Sequence, residues 1–207
     1  MSRVTVVNYA NSNTNSVLRA LNAVGADVHF SDSPDDIAQS AYIVLPGVGH
    51  TGTAMASLQA NGLIGPLEEA VLQRKVPVLG ICLGMHLLLD YVHEGECAGL
   101  GWVRGEARAL AVEDRRKYKI PHIGWNDVEA DGPSVLFPDE QGGDLFYFCH
   151  KFTADGVTDV NSLAAFNYER RWIASFEKQN IFGVQFHPEK SHDAGARLFT
   201  AFLNAGR

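Results

Sequence analysis

Residues 76–90 read Val-Pro-Val-Leu-Gly-Ile-Cys-Leu-Gly-Met-His-Leu-Leu-Leu-Asp. Val76 to Ile81 is a short apolar run entered through Pro77, the pattern of a strand buried on both faces. Leu83 to Asp90 then predicts a helix, with Leu83, Leu87 and Leu88 at helical spacing. Cys82 stands at the junction, between Gly80 and Gly84. Gly-x-Cys-x-Gly is a cysteine form of the nucleophile elbow, whose glycines permit a sharp turn between strand and helix. Such a turn lifts the sulfur above the sheet, to a helix N-terminus where backbone N–H groups and the helix dipole favour negative charge. A lone cysteine in an apolar run is more often a buried structural residue. The paired glycines and the strand-to-helix switch favour a nucleophile here.

Upstream, strand and helix alternate. Val4 to Tyr9 predicts a strand, Ala10 to Asn15 a polar turn, and Val17, Leu18, Leu21 and Val24 a helix stopped by Gly25. Asp27 to Phe30 is a second strand, and Ser33-Pro34 caps a short helix. Tyr42 to Leu45 is a third strand, ending at Pro46-Gly47-Val48-Gly49. Helices over Thr53 to Gln59 and Pro66 to Lys75 lead into the elbow strand. This alternation predicts a parallel sheet with helices on both faces.

Downstream the pattern changes. Trp102 to Leu110, Lys119 to Glu129, Asp144 to Phe152, Ser162 to Tyr168, Trp172 to Glu177 and Ile181 to Phe186 are strand-like runs joined by short polar turns. Tyr168 to Arg171 and Lys178 to Asn180 predict hairpin turns. These strands are expected to extend the parallel sheet with an antiparallel wing. Ser191 is expected to cap a last helix carrying Ala194, Leu198 and Phe202 on one face. No repeat or linker divides residues 1–207, which are expected to form one domain.

The composition has 20% charged and 46% apolar residues, as in an ordinary globular protein. A net charge of −7 with no long basic run argues against nucleic acid as the main partner. The short cluster Arg115-Arg116-Lys117-Tyr118-Lys119 is expected at a solvated hairpin tip, with docking of a partner or of a phosphate as the alternative. No apolar run approaches membrane-spanning length and no signal-peptide pattern opens the chain, so a cytoplasmic protein without a membrane partner is expected. Three irregularly spaced cysteines, Cys82, Cys97 and Cys149, predict free thiols in a reducing compartment, not a disulfide frame or a metal site.

In open α/β sheets ligands gather at the carboxyl ends of strands. Three groups fall there: Cys82, the loop 46–49, and His187-Pro188-Glu189. In extended chain, residues two apart point the same way, so His187 and Glu189 can serve one partner. Histidine supplies the base for a thiol, and a carboxylate orients the ring. A His-Pro-Glu alone is more often an ordinary strand end; with the elbow it completes a triad. The oxyanion formed on a carbonyl needs N–H donors already in place. Leu83 supplies one, and the turn Gly47-Val48-Gly49 another.

Residues 47–52 also match the dinucleotide fingerprint Gly-x-Gly-x-x-Gly. Against that reading, the loop follows the third strand, Pro46 occupies the start of the turn, and the downstream acids Glu68 and Glu69 lie in a helix. No cofactor is expected. Among the other histidines, His150 shares a face with Phe146 and Phe148, while His29, His50, His93 and His192 are expected unpaired at the surface.

Gly-Ile-Cys-Leu-Gly-Met at 80–85 and Phe-His-Pro-Glu-Lys-Ser at 186–191 resemble the class I, or triad, glutamine amidotransferases. Pro-Gly-Val-Gly at 46–49, Pro-His-Ile-Gly-Trp-Asn at 121–126 and Tyr-Phe-Cys-His at 147–150 look like the glutaminase subunits of imidazole glycerol phosphate synthase, from histidine biosynthesis. The resemblance implies a flavodoxin-like three-layer fold. It also implies Cys82, His187 and Glu189 as catalytic residues, with the oxyanion held at Gly47, Val48 and Leu83. Glutamine would be bound near Gly49, His86, His150, Lys151 and Phe152. The ammonia released would pass to a (β/α)8-barrel cyclase subunit docked near Pro121, His122, Trp125, Asn126 and Lys190.

Three positions depart from that pattern. The family commonly has Asp-Tyr-Gly-x-Gly-Asn where this chain has Asn8 to Asn13, Gln where it has His86, and a small hydroxyl residue where it has Lys151. These leave room for a paralogue feeding another synthase, such as one for surface-sugar amination. A stand-alone cysteine hydrolase and a catalytically silent regulatory subunit are the remaining readings.

Overall fold

The computed structural model describes residues 3–9, 14–138 and 144–205. Part of the polar turn after the first strand, including positions 10–13 of the departure just noted, lies outside them. In chain order the elements are β1 (Arg3–Val7), α1 (Asn15–Ala23), β2 (Asp27–Ser31), α2 (Pro34–Ala38), β3 (Tyr42–Leu45), α3 (Thr51–Ala60) and α4 (Ile64–Glu68). Then come β4 (Val78–Ile81), α5 (Leu83–Leu87), β5 (Leu89–Val92), β6 (Cys97–Ala98), β7 (Val103–Ala109), β8 (His122–Ala130), β9 (Asp144–His150) and β10 (Phe152–Thr158). β11 (Ser162–Tyr168), β12 (Arg170–Lys178), β13 (Ile181–Val184), a 3-10 turn at Pro188–Lys190 and α6 (His192–Asn204) complete the described residues. No helix among the described residues is long and apolar enough to cross a membrane.

A nine-stranded sheet runs in the order β2-β1-β3-β4-β13-β12-β11-β8-β9. Its first five strands are parallel, and each later pairing is antiparallel, the expected parallel body with an antiparallel wing. The parallel strands β3, β4 and β13 are buried at every position, as their unbroken apolar runs require. Two apolar clusters fill the interior. One joins α1 and α6 to the sheet through Leu21, Leu198, Phe199 and Phe202. The other gathers Leu58, Leu67, Val71, Met85 and Leu87 with Ile43 and Val78.

The helix expected over Leu83 to Asp90 stops at Leu87, and Leu89–Val92 forms β5 instead. The carbonyls that a longer helix would use are taken from outside. Leu100 N–H donates to Leu87 O at 2.7 Å, Trp102 N–H to Leu88 O at 3.0 Å and Gly101 N–H to Leu89 O at 3.0 Å. β5 belongs to a second, four-stranded sheet, β10-β7-β5-β6. The run Trp102 to Leu110, expected in the main sheet, lies in this second sheet as β7. The basic cluster 115–119 therefore sits in the exposed connection between the two sheets and not at a hairpin tip.

Smaller corrections follow the same logic. The expected helix over 66–75 is α4 continued by a wider π turn at Glu69–Gln73. Ser33 and Ser191 stand at their helix N-caps, but neither side chain caps the helix. Ser191 Oγ instead donates to His187 O at 2.7 Å and accepts from Tyr147 N–H at 3.0 Å.

Candidate active site

β3, β4 and β13 are adjacent and parallel, with Leu45 level with Gly80 and Ile81 level with Val184. Their carboxyl ends therefore lie side by side. The loop 46–49 leaves the first, Cys82 the second and Gln185 to Glu189 the third.

Cys82 has φ 52° and ψ −104°, a left-handed conformation that L side chains rarely adopt. Holding it costs on the order of 1–3 kcal/mol, which the surroundings must offset. Cys82 N–H donates to Val184 O at 2.7 Å, and Cys82 O accepts from His86 N–H at 3.2 Å. The flanking glycines answer to close approach. A Cβ on Gly84 would lie 1.9 Å from Leu45 O, and one on Gly47 would lie 2.7 Å from Leu83 Cβ. The loop 46–49 thus packs directly on the residues that follow the cysteine. Val48 in that loop is 43% exposed.

His187 is fixed through its backbone. Its N–H donates to Tyr147 O at 2.8 Å, and its carbonyl accepts from Ser191 Oγ. Its ring Nδ1 bonds Glu189 Oε1 at 2.8 Å. Burial works to lower the pKa of this ring. Hydrogen bonding to Cys82 and Glu189, with their negative charge, outweighs burial and raises it from 6.5 to about 10. The thiol, the imidazole and the carboxylate expected from sequence are brought together, and both Cys82 and His187 are buried.

Two further residues hold this centre. Gln185 Nε2 donates to Cys82 Sγ at 3.7 Å, and its Oε1 meets His86 Nε2 at 2.9 Å. Tyr9 donates its hydroxyl to Pro46 O, anchoring the loop. Burial and the neighbouring Cys82 keep the Tyr9 phenol well above its usual pKa. Neither residue was singled out from sequence. The signal available for Gln185 was a lone polar residue in the apolar run 181–186.

Thr51 opens α3, where a dinucleotide pyrophosphate would sit. The Glu94 carboxylate already accepts there from Thr51 N–H at 3.3 Å and Thr51 Oγ1 at 2.9 Å. A second anion at that terminus would meet like charge.

The residues expected around glutamine divide. Gly49, with φ 118°, lies in the loop beside the elbow. Lys151 is exposed at the bend between β9 and β10, and Phe152 is half-buried beside it. His150 does not offer its ring to a ligand. Nδ1 bonds Phe152 O at 2.8 Å and Nε2 meets His122 Nδ1 at 3.2 Å, so both nitrogens are engaged. Burial depresses its pKa to about 3. His86 is fully buried and engaged with Gln185.

The residues expected at a partner interface also divide. Trp125 is 46% exposed and stacks on His192 at 5.3 Å. Lys190 is exposed, its Nζ 5.6 Å from the Tyr147 ring centre. Pro121 is half-buried. His122 is a correction: it is 3% exposed and stacked on Tyr168 at 4.1 Å and Phe148 at 5.0 Å. Strand alternation turns it inward while its neighbour Ile123 points out. Asn126 shares that inward side and donates Nδ2–H to Asn167 O at 2.9 Å. His29 and His93, expected to be unpaired, meet Asp27 at 3.2 Å and Glu106 at 2.9 Å.

Comparison with known proteins agrees with this geometry. The family described as glutamine amidotransferase class-I matches residues 5–205. The chain belongs to the class-I glutamine amidotransferases. Within them it is 36% identical over 200 residues to imidazole glycerol phosphate synthase subunit HisH 2 of Methanococcus maripaludis, covering 97% of this chain and 98% of that one. It is 38% identical to subunit HisH 2 of Pseudomonas aeruginosa (97% and 98% covered) and 38% identical to subunit HisH of Bacillus subtilis (95% and 93%). The amidotransferase fold recurs in solved structures. A glutamine amidotransferase superposes with TM-score 0.77 at 17% identity, covering 98% of both chains. PurLQS from Thermotoga maritima gives 0.72 at 20% identity, covering 99% of both.

Proposed function

We propose that this chain is the glutaminase subunit of an imidazole glycerol phosphate synthase, acting as one domain over residues 1–207. The observation that carries this reading is the meeting of Cys82 and His187 over adjoining parallel strand ends, with Glu189 bonded to the ring. The names of its relatives give the pathway.

Cys82 Sγ attacks the side-chain amide carbon of glutamine. The carbonyl oxygen takes the negative charge and is met by the backbone N–H groups of Leu83 and Val48. The C–N bond breaks as His187, charged beside the sulfur, delivers its proton to the departing nitrogen, giving ammonia and a glutamyl thioester. The ring, now neutral, takes a proton from water, which attacks the thioester and releases glutamate and the thiol. Glu189 orients His187 and stabilises its charged form.

Ammonia is mostly protonated in neutral water and then is no nucleophile, so it must reach a second site under cover. The partner is a (β/α)8-barrel cyclase subunit, seated on the face that exposes Ile123, Trp125 and Leu145. Lys190 lies toward the ammonia exit. Cys97 and Cys149, both free, suit a reducing cytoplasm.

Glutamine hydrolysis measured alone is expected to be slow, and to accelerate strongly when the cyclase subunit and its ligand are added. Cys82→Ala should lower the stimulated rate by about 10⁴-fold or more. Activity surviving that substitution would exclude the mechanism. A full rate without any partner would favour a stand-alone hydrolase. Lys151 and His86 favour one second reading, a paralogue serving another synthase. Failure to restore growth of a histidine auxotroph lacking this subunit would support it.

A further inference from the structure

We propose that His86 is a positioning residue for the nucleophile: it holds the Gln185 amide in the orientation that presents its NH₂ group to Cys82 Sγ. The proposal rests on the glutaminase reading above and deepens it.

A glutamine amide and its flipped form have nearly the same shape, so its bonding partners decide which end points where. Gln185 is wholly buried and lies between two side chains. Its Oε1 faces His86 Nε2 at 2.9 Å and its Nε2 faces Cys82 Sγ at 3.7 Å. A proton on His86 Nε2 can only be donated, so it fixes Oε1 on the histidine and leaves the NH₂ for the sulfur. With the proton on Nδ1 instead, Nε2 would accept. The NH₂ would then turn to the histidine, and the amide oxygen would face the sulfur, opposing negative charge there. Burial lowers the His86 pKa, offset in part by the Gln185 bond and by the charge of Glu94. A neutral ring carries one N–H, so its tautomer sets the amide. The ring acts on Cys82 only through Gln185, which distinguishes it from the catalytic triad. A glutamine side chain in place of the imidazole could make the same donation from its NH₂ group to Gln185 Oε1.

The test is the rate of Cys82 alkylation by iodoacetamide against pH, read on the Cys82 peptide by mass spectrometry because Cys97 and Cys149 are also free thiols. In His86→Met, the midpoint of the profile should move up by about one pH unit and the rate at pH 7 fall roughly tenfold, the size expected for losing a hydrogen bond to a charged group. Gln185→Met should shift it alike, the double variant no further. His86→Gln should restore the parent profile. Turnover of glutamine by His86→Met with its cyclase partner should fall in kcat, with KM moving less than about twofold. A His86→Met profile superimposable on the parent, or additive shifts in the double variant, would overturn the proposal. If the Met variants do not fold, ¹⁵N-histidine spectra of the unsubstituted protein decide. A proton on His86 Nε2 near pH 7 is expected; one on Nδ1 alone would overturn the proposal. The alkylation and ¹⁵N readouts need no glutamine turnover. A chain that failed to hydrolyse glutamine would refute the functional reading, while the alkylation profile would still judge His86.

Discussion

Strands β3, β4 and β13 at the centre of the large sheet are buried on both faces, whereas β8 and β9 at its far edge bury only one. In the centre every side chain is committed to packing, so chemistry is confined to the strand ends, where the backbone turns. At the edge, alternate positions are free. The inward set, His122, Phe148 and His150, stacks into the core. The outward set, Ile123, Trp125 and Leu145, stays 46–59% exposed. The same chain thus carries a rigid, strained centre and an apolar face left to be covered. The two should respond differently to substitution.

The sharpest difference concerns Gly84. A Cβ there would overlap Leu45 O, in a place where backbone meets backbone. Gly84→Ala is expected to abolish activity and to lower the unfolding free energy by about 3 kcal/mol or more, seen as an earlier urea midpoint. Glycine-to-alanine at the edge position Gly124, where nothing lies within 4 Å, meets no clash, and its cost should be confined to the strain of φ 151°. Equal losses of activity at the two positions would break the contrast.

His187→Asn keeps a polar side chain but removes the proton carrier. It should reduce glutamine hydrolysis by about 10²–10⁴-fold with partner affinity unchanged. Trp125→Ala should do the reverse. Partner binding, followed by calorimetry, should weaken by roughly tenfold or more, while the partner-free rate stays within about twofold. Should Trp125→Ala cripple the isolated glutaminase, the outer face is not a separate docking surface.

A last contrast between the two regions is in pH dependence. Burial lowers the pKa of His122 to about 4 and of His150 to about 3, against 6.5 when unfolded. Below pH 6.5 the unfolded chain binds protons that these folded rings refuse. Their stabilising contribution is therefore complete above pH 6.5 and lost as pH falls toward 4 and then 3. His187 runs oppositely: its contribution is complete below pH 6.5 and lost as pH rises through about 10. His122→Phe should flatten the decline of the urea midpoint between pH 6.5 and 4. An unchanged slope would mean that the edge histidines are not held neutral.

The elbow was legible because glycine spacing records a backbone demand that is local. A Cβ on Gly80 would lie 2.5 Å from Gly84 O, only four residues on, so that part of the requirement is contained in residues 80–84; the contact of Gly84 with Leu45 O is not. His187 and Glu189 do meet, but not by the alternation of an extended chain. Pro188–Lys190 forms a 3-10 turn closed by Lys190 N–H on His187 O at 3.0 Å, and the turn brings the carboxylate to the ring. The second sheet was not legible. Leu83, Leu87 and Leu88 have helical spacing, and only the return of residues 100–103 to the carbonyls of Leu87 to Leu89 makes β5 a strand. Glu94 on Thr51 and Gln185 on Cys82 are contacts between distant segments, invisible to any window of sequence. His122 was misjudged because alternation gives two faces without saying which is inside. Its register opposite His150, already assigned to the Phe146–Phe148 face, supplies the answer.

The glutamyl thioester is the direct product of sulfur and imidazole acting on one amide. Acid-quenching the unsubstituted protein during steady turnover of glutamine, followed by peptide mass spectrometry, is expected to find a glutamyl adduct on the peptide carrying Cys82 and on no other. Glutamate released with no adduct on Cys82, or an adduct on Cys97 or Cys149 in its place, would contradict the account.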